Sequence, residues 1–225
     1  MSEGLSAAVT LLTLCSTLCS LCGAAAASGE PPRNFVRLSD IAPGVKQDIR
    51  YASANNFTGR SVPGYQAPQC WLRREVAEAL AAVQKEIESE GLRLVVYDCY
   101  RPQRATEAFI AWAADAQDQA MKEIYYPHID KQSLFELGYI AKASAHSKGI
   151  AVDLGIIGLD FGTPFDLFDA ASATENPAIG KSAKANRAKL LTLMQRHGFV
   201  NLPQEWWHFA LEGVKDAEPL DFEVR

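Results

Sequence analysis

The sequence predicts a single α+β domain in which helices pack on a mainly antiparallel central sheet. Two observations favour this class. Segments with apolar residues at helical spacing alternate along the chain with short runs rich in β-branched and aromatic residues. From Asn34 onward there is no linker, repeat or low-complexity tract, and a chain of 225 residues is long enough for one sizeable core.

The first predicted helix lies in WLRREVAEALAAVQKEIESEG, residues 71–91. Its apolar residues recur at helical spacing, and Gly91 is placed to end the helix. The next run, LRLVVYD (92–98), is typical of a buried strand, and Pro102 begins a second helix that continues to about Ala114. Arg101 is therefore expected on a strand-to-helix turn.

Three further elements complete the predicted domain. GIAVDLGI (149–156) has the composition of a core strand, and AKANRAKLLTLMQRHG (183–198) that of a helix closed by Gly198. EWWHFAL (205–211) is expected to form a last, aromatic strand. Helices and strands thus mix along one chain, as the α+β class requires.

The first 27 residues differ in kind from the rest. They carry no charge from Leu5 to Ala27 and end in small residues that fit a cleavage signal. We therefore predict a signal peptide at 1–27, a mature domain at 28–225, and a periplasmic or secreted protein without stable membrane association after cleavage. The segment has Glu3 and no Lys or Arg, so an uncleaved membrane anchor is the alternative.

Charge and cysteine content limit the partners and the compartment. The net charge is −5 and there is no basic stripe, which argues against nucleic acid and anionic membranes and favours small molecules or peptides. Three of the five cysteines lie in the predicted signal. The remaining two, Cys70 and Cys99, form either a disulfide, which an oxidising compartment permits, or two free buried thiols.

Two of the four histidines stand near carboxylates in apolar strand context: His146 with Asp153, and His208 with Glu205. Two histidines and an aspartate satisfy the ligand count of a catalytic zinc site, which leaves a fourth position open. Gly149 lets the backbone turn between His146 and Asp153. Together these pairs predict one zinc ion per chain, although each histidine alone is more typical of a hydrogen-bonded core residue.

Two further residues have predicted catalytic roles. In a regular strand Glu205 and His208 would point to opposite faces, so a turn or bulge is needed before both can reach one site. Glu205 is then expected to act as general base. Arg101, at the end of a buried strand, is expected to hold an anionic oxygen with its planar guanidinium, the alternative being a structural salt bridge.

The motif from Ser144 to Asp153, followed downstream by Glu205-x-x-His208, resembles the zinc D-alanyl-D-alanine dipeptidases of the vancomycin-resistance type, which are related to the zinc D,D-carboxypeptidases. Further segments resemble the same family in the same order across residues 35 to 225: NFTGRSVPGY, YDCYRPQRA, YYPHID, GYIAKASAHSKG, FDLF and EWWHF.

The resemblance implies zinc on His146, Asp153 and His208, with Glu205 as base and Arg101 stabilising the oxyanion. It also implies that three residues hold the amino-terminal end of the substrate: Ser144, Tyr65 and Asp166. Two departures stand out. Ala145 replaces a serine of the family pattern, and an export signal is unexpected because the resistance enzymes act in the cytoplasm.

The function predicted from the sequence is therefore zinc-dependent hydrolysis of the D-alanyl-D-alanine dipeptide. One alternative within the same chemistry is a D,D-carboxypeptidase that acts on longer peptidoglycan peptides. Another is a zinc-containing wall-binding module without catalysis, against which the presence of Glu205 argues, since a binder has no use for a positioned base.

Overall fold

A computed structural model describes Met1, residues 29–215 and residues 217–225. Residues 2–27 of the predicted signal therefore lie outside the described residues. Within the described ranges, no helix combines the length and apolar composition needed to cross a bilayer.

Numbered in chain order, the helices are α1 (Leu38–Ile41), α2 (Arg74–Glu88), α3 (Gln103–Ala114), α4 (Lys122–Tyr125) and α5 (Lys181–Arg196). The strands are β1 (Phe35–Arg37), β2 (Lys46–Gln47), β3 (Trp71–Arg73), β4 (Leu94–Asp98), β5 (Ala151–Ile156), β6 (Phe199–Asn201) and β7 (His208–Leu211). Short 3₁₀ turns occur at Arg50–Ala52, Lys131–Leu134, His146–Lys148 and Ala170–Ser172.

The domain has one five-stranded sheet in the order β2-β4-β5-β7-β6, and a separate antiparallel pair, β1 with β3. Its mixed helix-and-sheet, single-domain character agrees with the prediction. The prediction of a mainly antiparallel sheet needs correction, because the sheet is mixed: β2 runs parallel to β4. Helix α2 lies between these two strands in the chain, and such a helical crossover returns the chain in the same direction.

Most predicted elements are present with adjusted ends. The segment predicted as one helix from residue 71 begins instead as β3, and α2 follows from Arg74. The buried residues of α2 include Val76, Leu80, Val83 and Ile87, which is the apolar face that the spacing predicted. The aromatic segment from residue 205 begins with a turn, and only its last four residues form β7.

An irregularity in β4 decides which side chains face the site. Val96 pairs with Leu154, but the next paired residue of β4 is Asp98, opposite Asp153, so one residue of β4 is extra. In regular pairing Asp98 would share the sheet face of Val96. The bulge instead turns Asp98 to the face that carries Asp153.

Of the two alternatives for Cys70 and Cys99, the structure has the disulfide. Cys70, just before β3, is bonded to Cys99, just after β4, with a sequence separation of 29 residues. Both cysteines belong to the buried core. The bridge therefore links the small β1–β3 pair to the central sheet beside the bulge.

Candidate active site

Two imidazoles and a carboxylate meet at one point of the central sheet. Asp153 on β5 lies directly opposite His208 on β7, so both side chains project from the same face. Their atoms Oδ1 and Nδ1 are 3.0 Å apart, and His146 Nε2 lies 3.2 Å from the same oxygen. The three potential ligand atoms lie within 4.8 Å of one another.

His146 reaches this cluster from the turn before β5. The turn ends at Gly149, which has a φ of 69°, and a Cβ there would lie 2.4 Å from ring atoms of Phe35. Glycine is thus required both by the left-handed backbone and by the close ring.

The tautomer of His146 is fixed by the backbone. Its Nδ1 lies 2.7 Å from the carbonyl oxygen of Cys99, which can only accept a hydrogen bond. Nδ1 therefore carries the proton, and Nε2 presents a lone pair to the cluster. Burial alone would raise the pKa of Asp153, but the adjacent His146 and His208 hold it well below its ordinary range. The Asp153 carboxylate is accordingly ionised, which is the form of that group that binds a cation.

Glu205 lies beside the cluster on the turn that precedes β7. The turn is fastened by Asn201, whose side-chain amide donates to the backbone carbonyls of Glu205 and His208, both at 2.9 Å. The turn brings Glu205 Oε2 to 3.9 Å from His208 Nδ1. Both side chains therefore reach the same site, as they could not from a regular strand. Burial raises the pKa of the Glu205 carboxyl to about 7.

Arg101 enters the same pocket from the turn between β4 and α3. Its Nε and Nη2 both lie 2.9 Å from Oδ2 of Asp98, which is fully buried. The guanidinium also lies over the rings of Tyr51 and Phe109, at 5.2 and 5.0 Å from their centroids. The salt bridge considered as an alternative role for Arg101 is therefore present, with Asp98 as the partner. Arg101 nevertheless lines the pocket.

The pocket also contains a buried carboxylate, Asp166. Its backbone is left-handed, with a φ of 62°, a conformation that few residues other than glycine, asparagine and aspartate adopt. Tyr51 donates its hydroxyl to the carboxylate, with 2.9 Å to Oδ2. Burial, and secondly the nearby negative charge of Asp153, raise the pKa of Asp166 well above its ordinary value.

These groups line one pocket of about 270 Å³, below the usual range for drug-sized ligands. Its apolar wall includes Phe57, Phe109 and Phe168. The structure brings seven of the eight residues singled out from the sequence to this pocket: Arg101, Ser144, His146, Asp153, Asp166, Glu205 and His208. The Oγ of Ser144 accepts a hydrogen bond from the backbone N–H of His146 at 3.2 Å.

For the eighth residue, Tyr65, contact with the substrate stays a prediction. Tyr65 is absent from the residues that line the pocket, and its hydroxyl donates to Asp98 at 2.6 Å. Two other tyrosines, Tyr51 and Tyr139, line the pocket, and sequence reasoning missed both. Tyr51 lies in a 3₁₀ turn whose sequence has neither helical nor strand periodicity, so no local pattern marks it. Asp98 was missed because its orientation depends on the bulge.

The fold and this pocket together fit a class of enzyme, the metal-dependent hydrolases with one metal ion. Such sites combine nitrogen and oxygen ligands with an open position, an adjacent proton acceptor and a cationic group for developing negative charge.

Comparison with known proteins is in line with this class. The chain belongs to the M15 peptidase family described as D-Ala-D-Ala dipeptidase, whose profile matches residues 32–223. It is 37% identical over 183 residues to the D-alanyl-D-alanine dipeptidase of Enterococcus faecium, an alignment that covers 79% of this chain and 91% of that protein. It is 34% identical over 185 residues to the enzyme of the same name from Streptomyces coelicolor, covering 80% and 92%. The family resemblance seen in the motifs is thereby confirmed.

Among solved structures, the LdcB LD-carboxypeptidase aligns with a TM-score of 0.46 and 17% identity, over 84% of this chain and 73% of that one.

Proposed function

We propose that this protein is a zinc-dependent dipeptidase that hydrolyses D-alanyl-D-alanine to two molecules of D-alanine. Membership of the D-Ala-D-Ala dipeptidase family supports the substrate. The observation that carries the proposal is the pocket itself, in which a possible metal site and a buried carboxylate face the same small volume. A dipeptide needs both, because its amino end and its scissile bond are only one residue apart.

The donor set fits zinc. His146, Asp153 and His208 would hold the ion with two imidazole nitrogens and one carboxylate oxygen, which are the ligand types and the ligand number of a catalytic zinc site. When bound, zinc polarises the substrate carbonyl and lowers the pKa of water toward 7. The carbonyl of Cys99 keeps His146 in the tautomer that such a role requires.

Glu205 is the proposed general base. A carboxyl with a pKa near 7 can accept a proton from the attacking water and then release it at neutral pH. The proton goes to the amine nitrogen of the departing D-alanine as the carbon–nitrogen bond breaks. The other product is a free D-alanine whose new carboxylate contains the oxygen of the water.

Arg101 is the proposed stabiliser of the negative charge that develops on the carbonyl oxygen. Asp98 holds the guanidinium through Nε and Nη2, so the group is oriented before substrate binds. Donors that need no reorganisation contribute most to transition-state stabilisation.

The amino end of the substrate is proposed to bind Asp166, with Tyr51 and Ser144 as neighbouring hydrogen-bonding groups. Within the described residues Asp166 hydrogen-bonds to Tyr51 but forms no ion pair, so an ammonium group would add a direct positive partner to the more distant charge of Arg101. Acylation of the substrate amine removes the ammonium charge, at a cost of roughly 3–5 kcal/mol by analogy with broken buried ion pairs. We therefore expect a loss of at least about a hundredfold in kcat/KM.

The experiment compares D-Ala-D-Ala, N-acetyl-D-Ala-D-Ala and a wall pentapeptide as substrates of the purified mature protein. The free dipeptide should be cleaved with kcat/KM at least about a hundredfold higher than the other two. Asp166→Ala should narrow this difference. Comparable values for dipeptide and pentapeptide would instead identify a D,D-carboxypeptidase, and zinc binding without cleavage of any substrate would favour the wall-binding alternative.

Export is a separate part of the proposal. The uncharged segment up to Ala27 supports a signal peptide, and the Cys70–Cys99 disulfide is typical of an oxidising compartment. The mature enzyme would then act in the periplasm or outside the cell. Cell fractionation with amino-terminal sequencing tests this: a start near Ser28 in the soluble exported fraction is expected, whereas Met1 or Ser2 in membranes would favour the anchor.

A further inference from the structure

Arg187 is a buried arginine outside the pocket. It lies on α5, and only 1% of its surface is exposed. Burial lowers the pKa of its guanidinium to about 10, so it stays protonated at neutral pH. Burial of a charged group costs free energy unless its hydrogen-bond donors are satisfied. The acceptors that surround the Arg187 guanidinium therefore indicate its role.

Within the described residues, all of its hydrogen-bond partners belong to the loop that carries Asp166. Nε donates to the carbonyl of Phe161 at 2.7 Å, and Nη2 to Oγ1 of Thr163 at 3.2 Å. Nη1 donates to the carbonyls of Ala171 and Ala173, at 2.9 and 2.6 Å. The rigid guanidinium thus joins the two ends of the segment 161–173, and Asp166 lies between them.

This segment needs to be held from outside. Apart from one 3₁₀ turn it lacks regular structure, so few of its carbonyls have partners within the loop itself. Asp166 has a left-handed backbone, a conformation that residues other than glycine keep mainly where the surroundings hold it. Arg187 supplies such surroundings without touching the substrate pocket.

The same loop is tied to the segment of the proposed base. Trp206, next to Glu205, donates its indole N–H to Oγ1 of Thr163 at 2.9 Å and its backbone N–H to the carbonyl of Ser172 at 3.0 Å. Its ring stacks on Phe161 with centroids 4.2 Å apart. Thr163 therefore links Arg187 to the chain segment that carries Glu205.

We propose that Arg187 is a positioning residue for the amino end of the substrate: by joining both ends of the 161–173 loop it places the Asp166 carboxylate at a fixed distance from Glu205, and it thereby determines the preference for a free dipeptide over an N-acylated one. This inference rests on the proposed dipeptidase function. Arg187 itself contacts no substrate.

The test is Arg187→Met, with Arg196→Met as matched control. Arg196 lies on the same helix but is exposed and pairs with Glu86 on the surface. kcat and KM are measured on D-Ala-D-Ala and on N-acetyl-D-Ala-D-Ala, together with zinc content.

Because an ammonium contact is made in both ground and transition states, the main effect of Arg187→Met falls on KM. We expect KM for D-Ala-D-Ala to rise about tenfold or more. The ratio of kcat/KM for D-Ala-D-Ala to kcat/KM for N-acetyl-D-Ala-D-Ala should fall by a similar factor. Zinc content and the control variant should be unchanged.

Arg187→Lys covers the case in which the methionine variant does not fold. A single ammonium cannot reproduce the planar fork that reaches both loop ends, so the preference should fall to an intermediate value. If either folded variant keeps the wild-type preference and loses only thermal stability, Arg187 is a structural residue and the inference is wrong. If the wild-type protein does not cleave D-Ala-D-Ala, the proposed function fails and this inference fails with it.

Discussion

Two parts of the pocket, called here the metal end around Asp153 and the amino end around Asp166, are built in different ways. At the metal end, Asp153 and His208 face each other on paired strands, and Asp98 joins them through a bulge in β4. At the amino end, Asp166 lies on a loop with a left-handed backbone, held by a helix arginine 21 positions further along the chain. Backbone pairing fixes the first end, whereas side-chain contacts fix the second.

This difference separates the chemistry from the specificity. Strand register is set by many hydrogen bonds and by the burial of one face, so the metal end should tolerate changes at the other end. A loop held by a few side-chain contacts is easier to displace, and its displacement should alter substrate preference more than metal binding. Changes at each end should therefore have different readouts.

The largest effect is expected at the metal end. Asp153→Ala and His208→Ala should each reduce zinc from about one ion per chain to less than about a tenth, with loss of activity, because two remaining ligands do not form a catalytic zinc site. Metal analysis of dialysed protein measures this. Asp166→Ala, at the other end, should retain its zinc. A variant that lacks all three proposed ligands and still keeps full zinc content would contradict the site.

Glu205→Ala should lower kcat by about 10²–10⁴-fold while zinc is retained, because the base acts on water and amine without holding the ion. Steady-state kinetics and metal analysis on the same preparation measure both quantities. Loss of zinc in this variant would mean that Glu205 is a ligand, and the division of roles at the metal end would be wrong.

Arg101→Lys should lower kcat by about 10²-fold, since an ammonium cannot reproduce the planar fork that Asp98 orients through Nε and Nη2. Arg104→Lys is the matched control, because Arg104 lies one turn away and pairs with Asp221 outside the pocket. Near-normal turnover of the Arg101 variant would reduce its role to the ion pair with Asp98.

Removal of the disulfide by Cys70→Ser and Cys99→Ser should lower the free energy of unfolding by about 3–4 kcal/mol, as expected for a closed loop of this length. Denaturant unfolding of wild-type and double-variant protein measures the difference. If stability is unchanged, strand pairing alone holds the metal end and the bridge beside Cys99 is dispensable.

The smallest effect concerns the electrostatics of the amino end. The pKa of Asp166 is higher in the folded protein than in the unfolded chain. The free energy of unfolding is therefore highest while Asp166 is protonated, and it falls as pH rises from about 4, the ordinary carboxyl pKa, through the pKa in the folded protein. Asn cannot ionise and tolerates a left-handed backbone. In metal-free protein, Asp166→Asn should therefore add about 0.5–2 kcal/mol of stability at pH 7, and the gain should vanish below pH of about 4. Thermal unfolding at both pH values measures it, and equal stability at pH 7 would contradict the buried charge.

By itself the sequence determined the family, the main helices and core strands, and the proximity of His146 to Asp153. These are local properties: helical periodicity predicts α2, and a glycine between two ligand-type residues predicts a turn. Motifs spaced along the chain also indicated that Glu205 and His208 belong to the same site.

Only the tertiary structure decided which tyrosine contacts Asp166, how Asp98 is oriented and what holds Asp166 in place. Tyr51, and not Tyr65, meets Asp166 because the two segments, 115 residues apart, come together in the fold. The parallel pairing of β2 likewise depends on where α2 returns the chain. The spacing of apolar residues along a segment predicts which face of that helix or strand is buried. The partner, the register and the loop path are set by contacts between residues far apart in the chain, which no local pattern records.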